Sequence, residues 1–318
     1  MRPRVARSNA ARSDTAQSGA ALVLAMLLAA LAGSIVAGLL WHQQLWLRQY
    51  DFGRDQSQAQ SLARSGIDWA RLVLNEDARR GNIDHFGEQW AIRLPLTPLE
   101  NGEIGGDITD QQGLFNLNSL VNGGAVAPEA LARYRRLLAL LGLPESLGPA
   151  LVDWLDANGD STPGGGAEDA FYIALKPPRL AANRPLVTLD ELGLVAGYAP
   201  EILTRLRPFV TALPPSASGG INVNTAPPEV LAATLDGLAL ADANRLAAGR
   251  VNKPFLTVAD FRSRLPSSIP VNELALRVSS DAFIVRVVVR QGEVRATGLA
   301  LIRREGGGWP RVVWQMIE

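Results

Sequence analysis

Between Asp153 and Asp169 the chain places five carboxylates and one side-chain amide in a single stretch: Asp153, Asp156, Asn158, Asp160, Glu168 and Asp169. Oxygen-only donors on a short loop are the chemistry of a hard cation. Asp156, Asn158 and Asp160 alternate like the first three ligands of an EF-hand loop, but the match then fails. Ser161 stands where the turn glycine belongs, and Ala167 takes the twelfth position, with Glu168 one place later. Backbone carbonyls of Pro163-Gly164-Gly165-Gly166 are available to complete a shell. The competing reading is a solvated acidic turn. Paired carboxylates also serve hydrolases as acid and base. Nothing in the spacing sets their separation, however, and no G-x-S-x-G nucleophile motif occurs.

The remaining composition narrows the chemistry. The 318 residues contain no cysteine, which excludes a disulfide framework, a thiolate metal site and a cysteine nucleophile. Two histidines, His42 and His85, exclude a histidine-rich metal centre. Lys and Arg total 31 against 31 Asp and Glu, so no global positive charge grips nucleic acid.

Positioning elements come next. Ala20 to Trp41 is a run of about 22 apolar or small residues, the length of a membrane-crossing helix. Arg2, Arg4, Arg7 and Arg12 precede it against one acid, Asp14, which orients the N-terminus toward the cytoplasm and the rest outward. Trp41 and Trp46 suit the far interface. A cleaved secretory signal competes through Ala30-Leu31-Ala32, which would leave Gly33 first. Ser18-Gly19-Ala20 at the junction of basic leader and apolar run resembles the leader of type IV pilin-like proteins. That resemblance implies prepilin peptidase cleavage after Gly19, N-methylation at Ala20, and retention of the helix. Leu24 replaces the glutamate usual at the fifth mature position in that family. In such subunits the carboxylate pairs with the amine of the subunit ahead, so its loss fits a subunit with none ahead.

Ala59, Leu62, Ala63, Gly66, Ala70, Val73 and Leu74 recur at helical spacing, which predicts a stem to about Arg80 ending at Gly81-Asn82. Trp90–Leu99 and Gly102–Asp110 read as two strands. Residues 282–290, 293–303 and 311–317 read as a β-meander. The block between is helical and duplicated. Phe115-Asn116-Leu117-Asn118 matches Ile221-Asn222-Val223-Asn224, and residues 183–192 match 252–261. The first copy carries an insertion of about 37 residues, which holds the acidic run. Residues 214–220 link the copies. Each copy resembles a helix-hairpin-helix or SAM-like module. Some such modules bind DNA, but residues 221–265 hold five bases against four acids, too near neutrality for tight phosphate binding.

Taken in order, the features are a glycine-ended leader and a stem with Ser61-Leu62-Ala63-Arg64-Ser65-Gly66. A D-W-x-D-x-N-x-D…G-A-E-D-x-x-Y block closing at Tyr172 follows, and then Ile221-Asn222-Val223-Asn224-Thr225-Ala226. This order resembles the type II secretion minor pseudopilin K family (general secretion pathway protein K) over essentially the whole chain. The resemblance implies an α+β, pilin-like fold. Its parts would be a leader (1–19), a transmembrane segment (20–41) and a stem (42–81). The first part of an antiparallel sheet (82–113) precedes an inserted α-helical domain (114–270, with repeats at 114–213 and 221–266), and a meander (271–318) completes the sheet. It implies calcium in the acidic loop, with Asp153, Asp156, Asn158, Asp160, Glu168 and Asp169 as the matching positions. It implies no catalytic activity and no nucleic acid. The partners would be minor pseudopilins I and J, the major pseudopilin, the inner-membrane assembly platform and prepilin peptidase. The place would be the inner membrane, single-pass, with the C-terminal domain periplasmic, at the tip of a pseudopilus where filament assembly begins. The alternative of another class is a membrane-anchored DNA receptor of competence type.

Overall fold

The computed structural model describes residues 11–100, 102–215, 219–305 and 308–318, with side chains from Gly19 onward. Arg2, Arg4 and Arg7 of the leader, Asn101 of the hairpin turn and the centre of the 214–220 linker lie outside the described residues.

One helix, α1 (Ala11–Arg80), spans both the apolar run and the stem. Proline is absent from it, so nothing interrupts its hydrogen-bond ladder. Its apolar N-terminal half is exposed along its length, from Leu22 through Trp41 and Trp46 to Phe52. Among the described residues it is the one helix long and apolar enough to cross a membrane. From Ala59 onward one stripe turns inward: Ala59, Ala63, Ile67, Ala70 and Leu74 are fully buried.

That stripe packs on a five-stranded antiparallel sheet. Its strands are β1 (Leu94–Leu99), β2 (Gly102–Asp110), β3 (Ala282–Gln291), β4 (Val294–Arg303) and β5 (Arg311–Ile317), adjacent in that order. The inward residues of β3 (Phe283, Val285, Val287, Val289) meet the stem stripe with Ala296, Ala300 and Ile302 of β4. Burying each of the larger side chains contributes about 1.5–3 kcal/mol. The approach is close because small residues permit it. A Cβ on Gly66 would sit 2.7 Å from Val287 Cγ1, and one on Gly298 would sit 3.4 Å from Ala63 Cβ.

Trp90 departs from the strand expected for it. Gln89–Ala91 is a single 3₁₀ turn, and β1 starts at Leu94. The Glu88 carboxylate accepts both Trp90 Nε1 (2.7 Å) and the backbone N–H of His85 (2.9 Å), which folds the segment back. The indole is then buried edge-on against Phe283, with ring centroids 5.2 Å apart.

Strands β2 and β3 pair along their whole length, yet residues 111–281 intervene between them. That insertion is the helical domain, with helices α2 (Pro128–Leu140), α3 (Leu147–Leu155), α4 (Asp169–Ile173), α5 (Pro200–Leu206), α6 (Pro228–Thr234), α7 (Leu240–Asn252) and α8 (Val258–Ser263). It has its own core, separate from that under the stem. The duplication is visible in matching hydrogen bonds. In the first copy Asn118 Nδ2 donates to Leu186 O while its Oδ1 accepts from Leu186 N. In the second, Asn224 Nδ2 donates to Phe255 O while its Oδ1 accepts from Phe255 N. Each copy closes with a two-residue parallel pair, Phe115–Asn116 with Val210–Thr211 and Ile221–Asn222 with Leu276–Arg277.

A buried polar joint ties the second copy to stem and sheet. Asp110 Oδ2 accepts from Ser280 Oγ (2.7 Å) and Thr225 Oγ1, and Oδ1 accepts from Gln112 N (2.8 Å). Asn222 Nδ2 donates to Ser280 Oγ (2.8 Å) and to Asp84 O (3.0 Å). Asp84 Oδ2 accepts from Ser280 N (2.7 Å). Arg304 pairs with Asp84 and with Asp77 of α1, the latter at 2.8 Å.

Candidate functional site

The acidic loop is held at both ends by aromatic packing. Every residue of α3 is buried, so Asp153, in its last turn, is carried into the interior with no exposed surface. Trp154 of α3 meets Tyr172 of α4 edge-on at 5.1 Å, and the Tyr172 hydroxyl accepts from Ala196 N (3.0 Å). These contacts bring the loop's two ends together, Asp153 and Asp156 from one side and Glu168 and Asp169 from the other.

Within the loop the six predicted residues divide. Asp153, Asp156 and Glu168 are buried together. Both Asp153 oxygens accept from Thr162 N, at 3.0 and 3.1 Å. Asn158 turns its amide onto its neighbour, with Nδ2 donating to Asp156 Oδ2 (2.8 Å) and Oδ1 accepting from Asp160 N (2.7 Å). Asp160 is exposed. Asp169 Oδ1 accepts from Ala181 N (2.9 Å), which engages one of its two oxygens. Gly166 closes the loop at a distance only glycine tolerates. A Cβ there would collide with Asp153 Oδ2 and lie 2.6 Å from both Thr162 N and O.

Like charges gather here with little to offset them. Burial pushes the Glu168 carboxyl up to about 7, and the charges of Asp153, Asp156 and Asp169 push the same way. Burial also raises Asp156, with Asp153 and Asp160 adding to it and the Asn158 hydrogen bonds opposing. Asp156 Oδ1 and Glu168 Oε1 are buried with no hydrogen-bond partner. A buried acceptor left unpaired costs about 1–3 kcal/mol, more when charged. Two unpaired carboxylate oxygens amid further carboxylates are a donor set complementary to a hard cation. The residues present therefore fit a calcium-type ion.

A second acidic group was missed in the sequence. Carboxylate oxygens of Asp77, Asp84 and Glu88 lie within 4.8 Å of one another, at the end of the stem. Each of the three carboxylates is already engaged through at least one oxygen, by Arg304, by Ser280 N, by Trp90 Nε1 or by His85 N. It is an ion-paired joint rather than an open cation site, and its members are too far apart in sequence to form a motif.

Four of the five bases of the second repeat are engaged within the chain. Arg245 pairs with Asp242, Arg264 with Asp260 and Arg262 with Glu273. Arg250 is buried and donates to Val223 O (2.6 Å). A phosphate backbone would find little free positive charge on this module.

Gly19 and Ala20 lie within the uninterrupted α1, both exposed, with open space around the Gly19 Cα.

Comparison with known proteins agrees with this architecture. The family described as Type II secretion system (T2SS), protein K matches residues 113–215 and, through a second part, 221–278. The chain is 36% identical over 272 residues to a type II secretion system protein K of Pseudomonas aeruginosa PAO1, covering 80% of this chain and 79% of that one. It is 31% identical over 270 residues to the corresponding protein of Aeromonas hydrophila, covering 75% and 81%. Among solved structures it resembles a chain of the GspK-GspI-GspJ complex from the enterotoxigenic Escherichia coli type 2 secretion system. The TM-score is 0.74 at 25% identity, over 85% of this chain and 99% of that one. With two relatives above 30% identity, each covered over about four fifths of its length, the chain belongs to the type II secretion system protein K family.

Proposed function

We propose that this protein is a minor pseudopilin at the tip of a type II secretion pseudopilus, where it starts and caps the filament. The observation that carries the reading is α1. A single helix joins an exposed apolar span to a stem that is buried on its own sheet, so the folded part rides on the anchor. The anchor holds the subunit in the bacterial inner membrane, with the N-terminus cytoplasmic and the sheet and helical insertion periplasmic. Prepilin peptidase cleaves after Gly19 and leaves Ala20 as a methylated N-terminus. Leu24, without a carboxylate, has no need of a subunit ahead. Residues 111–281 leave the sheet where β2 ends and β3 begins, and their bulk at that end would stand in the way of a further subunit. Minor pseudopilins I and J are the partners, by analogy with the GspK-GspI-GspJ complex to which the structural neighbour belongs. The major pseudopilin and the assembly platform lie below. The role is structural, without catalysis.

Calcium would be held by Asp153, Asp156 and Glu168, with Asp169 and Asp160 at the margin and Asn158 bracing Asp156. When bound, it supplies positive charge that offsets the buried carboxylates and orders the loop. The reading is tested by deleting the gene and restoring it. Export across the outer membrane is expected to stop and to return with the intact chain. Unimpaired export in the deletion strain would remove the proposed role. The competence-type DNA receptor is disfavoured by the internal pairing of Arg245, Arg262 and Arg264.

A further inference from the structure

The two copies of the repeat do not finish the same surface. Leu141-Gly142-Leu143 at the first hairpin matches Asp236-Gly237-Leu238 at the second, with both glycines at positive φ, 60° and 79°. On that register the helices that follow, α3 and α7, keep their inward positions. Gly148, Leu151 and Leu155 are buried in one, and Ala243, Leu246 and Arg250 in the other. The same register puts Gly249 where the first copy has Trp154. Continuing the match of residues 183–192 with 252–261 puts Leu265 where the first copy has Ala196.

In the first copy that place is filled by the segment that closes the acidic loop. Tyr172 of α4 meets Trp154 edge-on at 5.1 Å, its hydroxyl accepts from Ala196 N, and the Arg179 guanidinium lies 5.5 Å from its ring centroid. The second copy has no such segment, and a groove with a cavity of about 340 Å³ lies there instead. Leu246 and Phe255 make its floor, and Arg245 and Arg264 stand at its sides. A Cβ on Gly249 would meet nothing within 4 Å, so the place of the Trp154 side chain is open.

What covers the first copy gives the chemistry of the occupant. It is a single helical turn with two carboxylates, Glu168 and Asp169, ahead of two aromatic rings, Phe171 and Tyr172. The second groove suits the same combination. A ring entering over Gly249 comes between two guanidinium groups, which favours its π face. Arg264 already stacks in this way on Phe255, with Cζ 4.6 Å from the ring centroid. Arg245 and Arg264 are each met by one acid, Asp242 and Asp260. Lys253, whose carbonyl accepts from Arg264 (3.1 Å), is exposed and has no salt bridge among the described residues. One positive charge is thus left beside the groove for a carboxylate. Leu265 N donates to Arg262 O (3.1 Å), so it does not serve a tyrosine hydroxyl as Ala196 N does. Ring and carboxylate, rather than hydroxyl, are what this groove can hold. We infer that the groove between α7 and residues 264–266 docks an acidic segment of a partner protein, which inserts one aromatic side chain over Gly249.

The test uses the full chain in detergent, with calcium present. The probe is a fluorescein-labelled peptide Glu-Asp-Ala-Phe-Tyr-Ile, the order of residues 168–173, followed by fluorescence anisotropy. Saturable binding is expected. Alanine in place of both aromatic residues of the peptide, or lysine in place of both acids, should weaken it about tenfold. Gly249→Trp restores the side chain of the first copy, fills the groove, and should weaken binding by a similar factor without lowering the melting temperature. Should that variant melt early, Arg245→Ala, a change at an exposed side chain, takes its place, with an expected loss of about threefold. Absence of saturable binding up to about 1 mM peptide would overturn the inference. So would equal binding by the folded variant, which would place the peptide elsewhere, such as in the place of α4. Tighter binding of a single-stranded oligothymidylate, lost in the same variant, would make the groove a nucleic-acid site and likewise overturn it.

Discussion

Glu168 carries a charge that folding disfavours. Its carboxyl is buried among three others, which raises it to about 7. A carboxyl raised in the folded state binds its proton more tightly there than in the unfolded chain, so its contribution is favourable below the usual carboxylate range. That contribution is lost as pH rises through about 7. Asp156 is raised in the same direction. In chelator, Glu168→Gln should therefore stabilise the protein at pH 8, by about 1–3 kcal/mol, read as a higher melting temperature. The same variant should lose most of the stabilisation that calcium gives the unaltered chain. A Glu168→Gln protein that still gains fully from calcium would remove Glu168 from the site. Gly166→Ala, which drives a methyl into Asp153 and Thr162, should abolish the calcium response while leaving the remainder of the helical domain folded, as judged by circular dichroism. The acidic residues were legible in the sequence because they are close along the chain. The division into three convergent carboxylates (Asp153, Asp156, Glu168) and two peripheral ones (Asp160, Asp169) was not. It depends on the burial of α3 and on Asn158 turning toward Asp156, which local spacing does not encode.

Among the elements, the two N-x-N segments are the clearest case of sequence that determines structure. Asn118 and Asn224 each hold a distant backbone segment by a donated and an accepted bond. Asn118→Ala or Asn224→Ala leaves a buried N–H and C=O unpaired, and each should cost about 2–4 kcal/mol, measured by denaturant unfolding. The first position of the motif differs in duty between the two copies. Asn116 Oδ1 accepts within its own copy from Leu213 N, whereas Asn222 reaches Asp84 and Ser280 at the joint. The joint itself was not legible. Asp77, Asp84, Asp110, Asn222, Ser280 and Arg304 come from six separate segments and meet only because β2 and β3 pair across the insertion. Complete burial raises the Asp110 carboxyl, opposed by hydrogen bonds from Thr225, Ser280 and Gln112. Burial, with Glu88 and Asp84, raises Asp77 to about 6 against the pull of Arg304. Both shifts have the sign of Glu168. The calcium-free chain should thus lose stability as pH rises from the usual carboxylate range through about 6–7, a trend that thermal melts in chelator would show. The stem stripe and the meander were legible by period alone. Ile67 completes the stripe at its tightest point, and Trp90 left the strand pattern because Glu88 captures its indole.

For the whole molecule, the even balance of 31 basic and 31 acidic residues conceals a division of labour. The apolar run from Ala20 to Trp41 carries no charge, the second repeat pairs three of its five bases within the chain, and the first repeat gathers the carboxylates of Asp153, Asp156 and Glu168 in one buried loop. Without cysteine, no disulfide secures the long insertion. Its attachment runs through the buried joint of Asp84, Asp110, Asn222, Ser280 and Arg304. The stem joins all of this to the one described helix segment long and apolar enough to cross a membrane. In the intact cell the mature chain should begin at Ala20. A start at Gly33 would mean secretory cleavage and no anchor, which N-terminal sequencing distinguishes. The proposed role requires a membrane-anchored chain that assembles with sister minor pseudopilins, and native mass spectrometry of the detergent-extracted protein reads both properties at once. The expected species is a complex with one copy each of minor pseudopilins I and J, in which this chain has the mass of residues 20–318 with a methylated N-terminus. A chain recovered without either partner, or with the mass of residues 33–318, would contradict it.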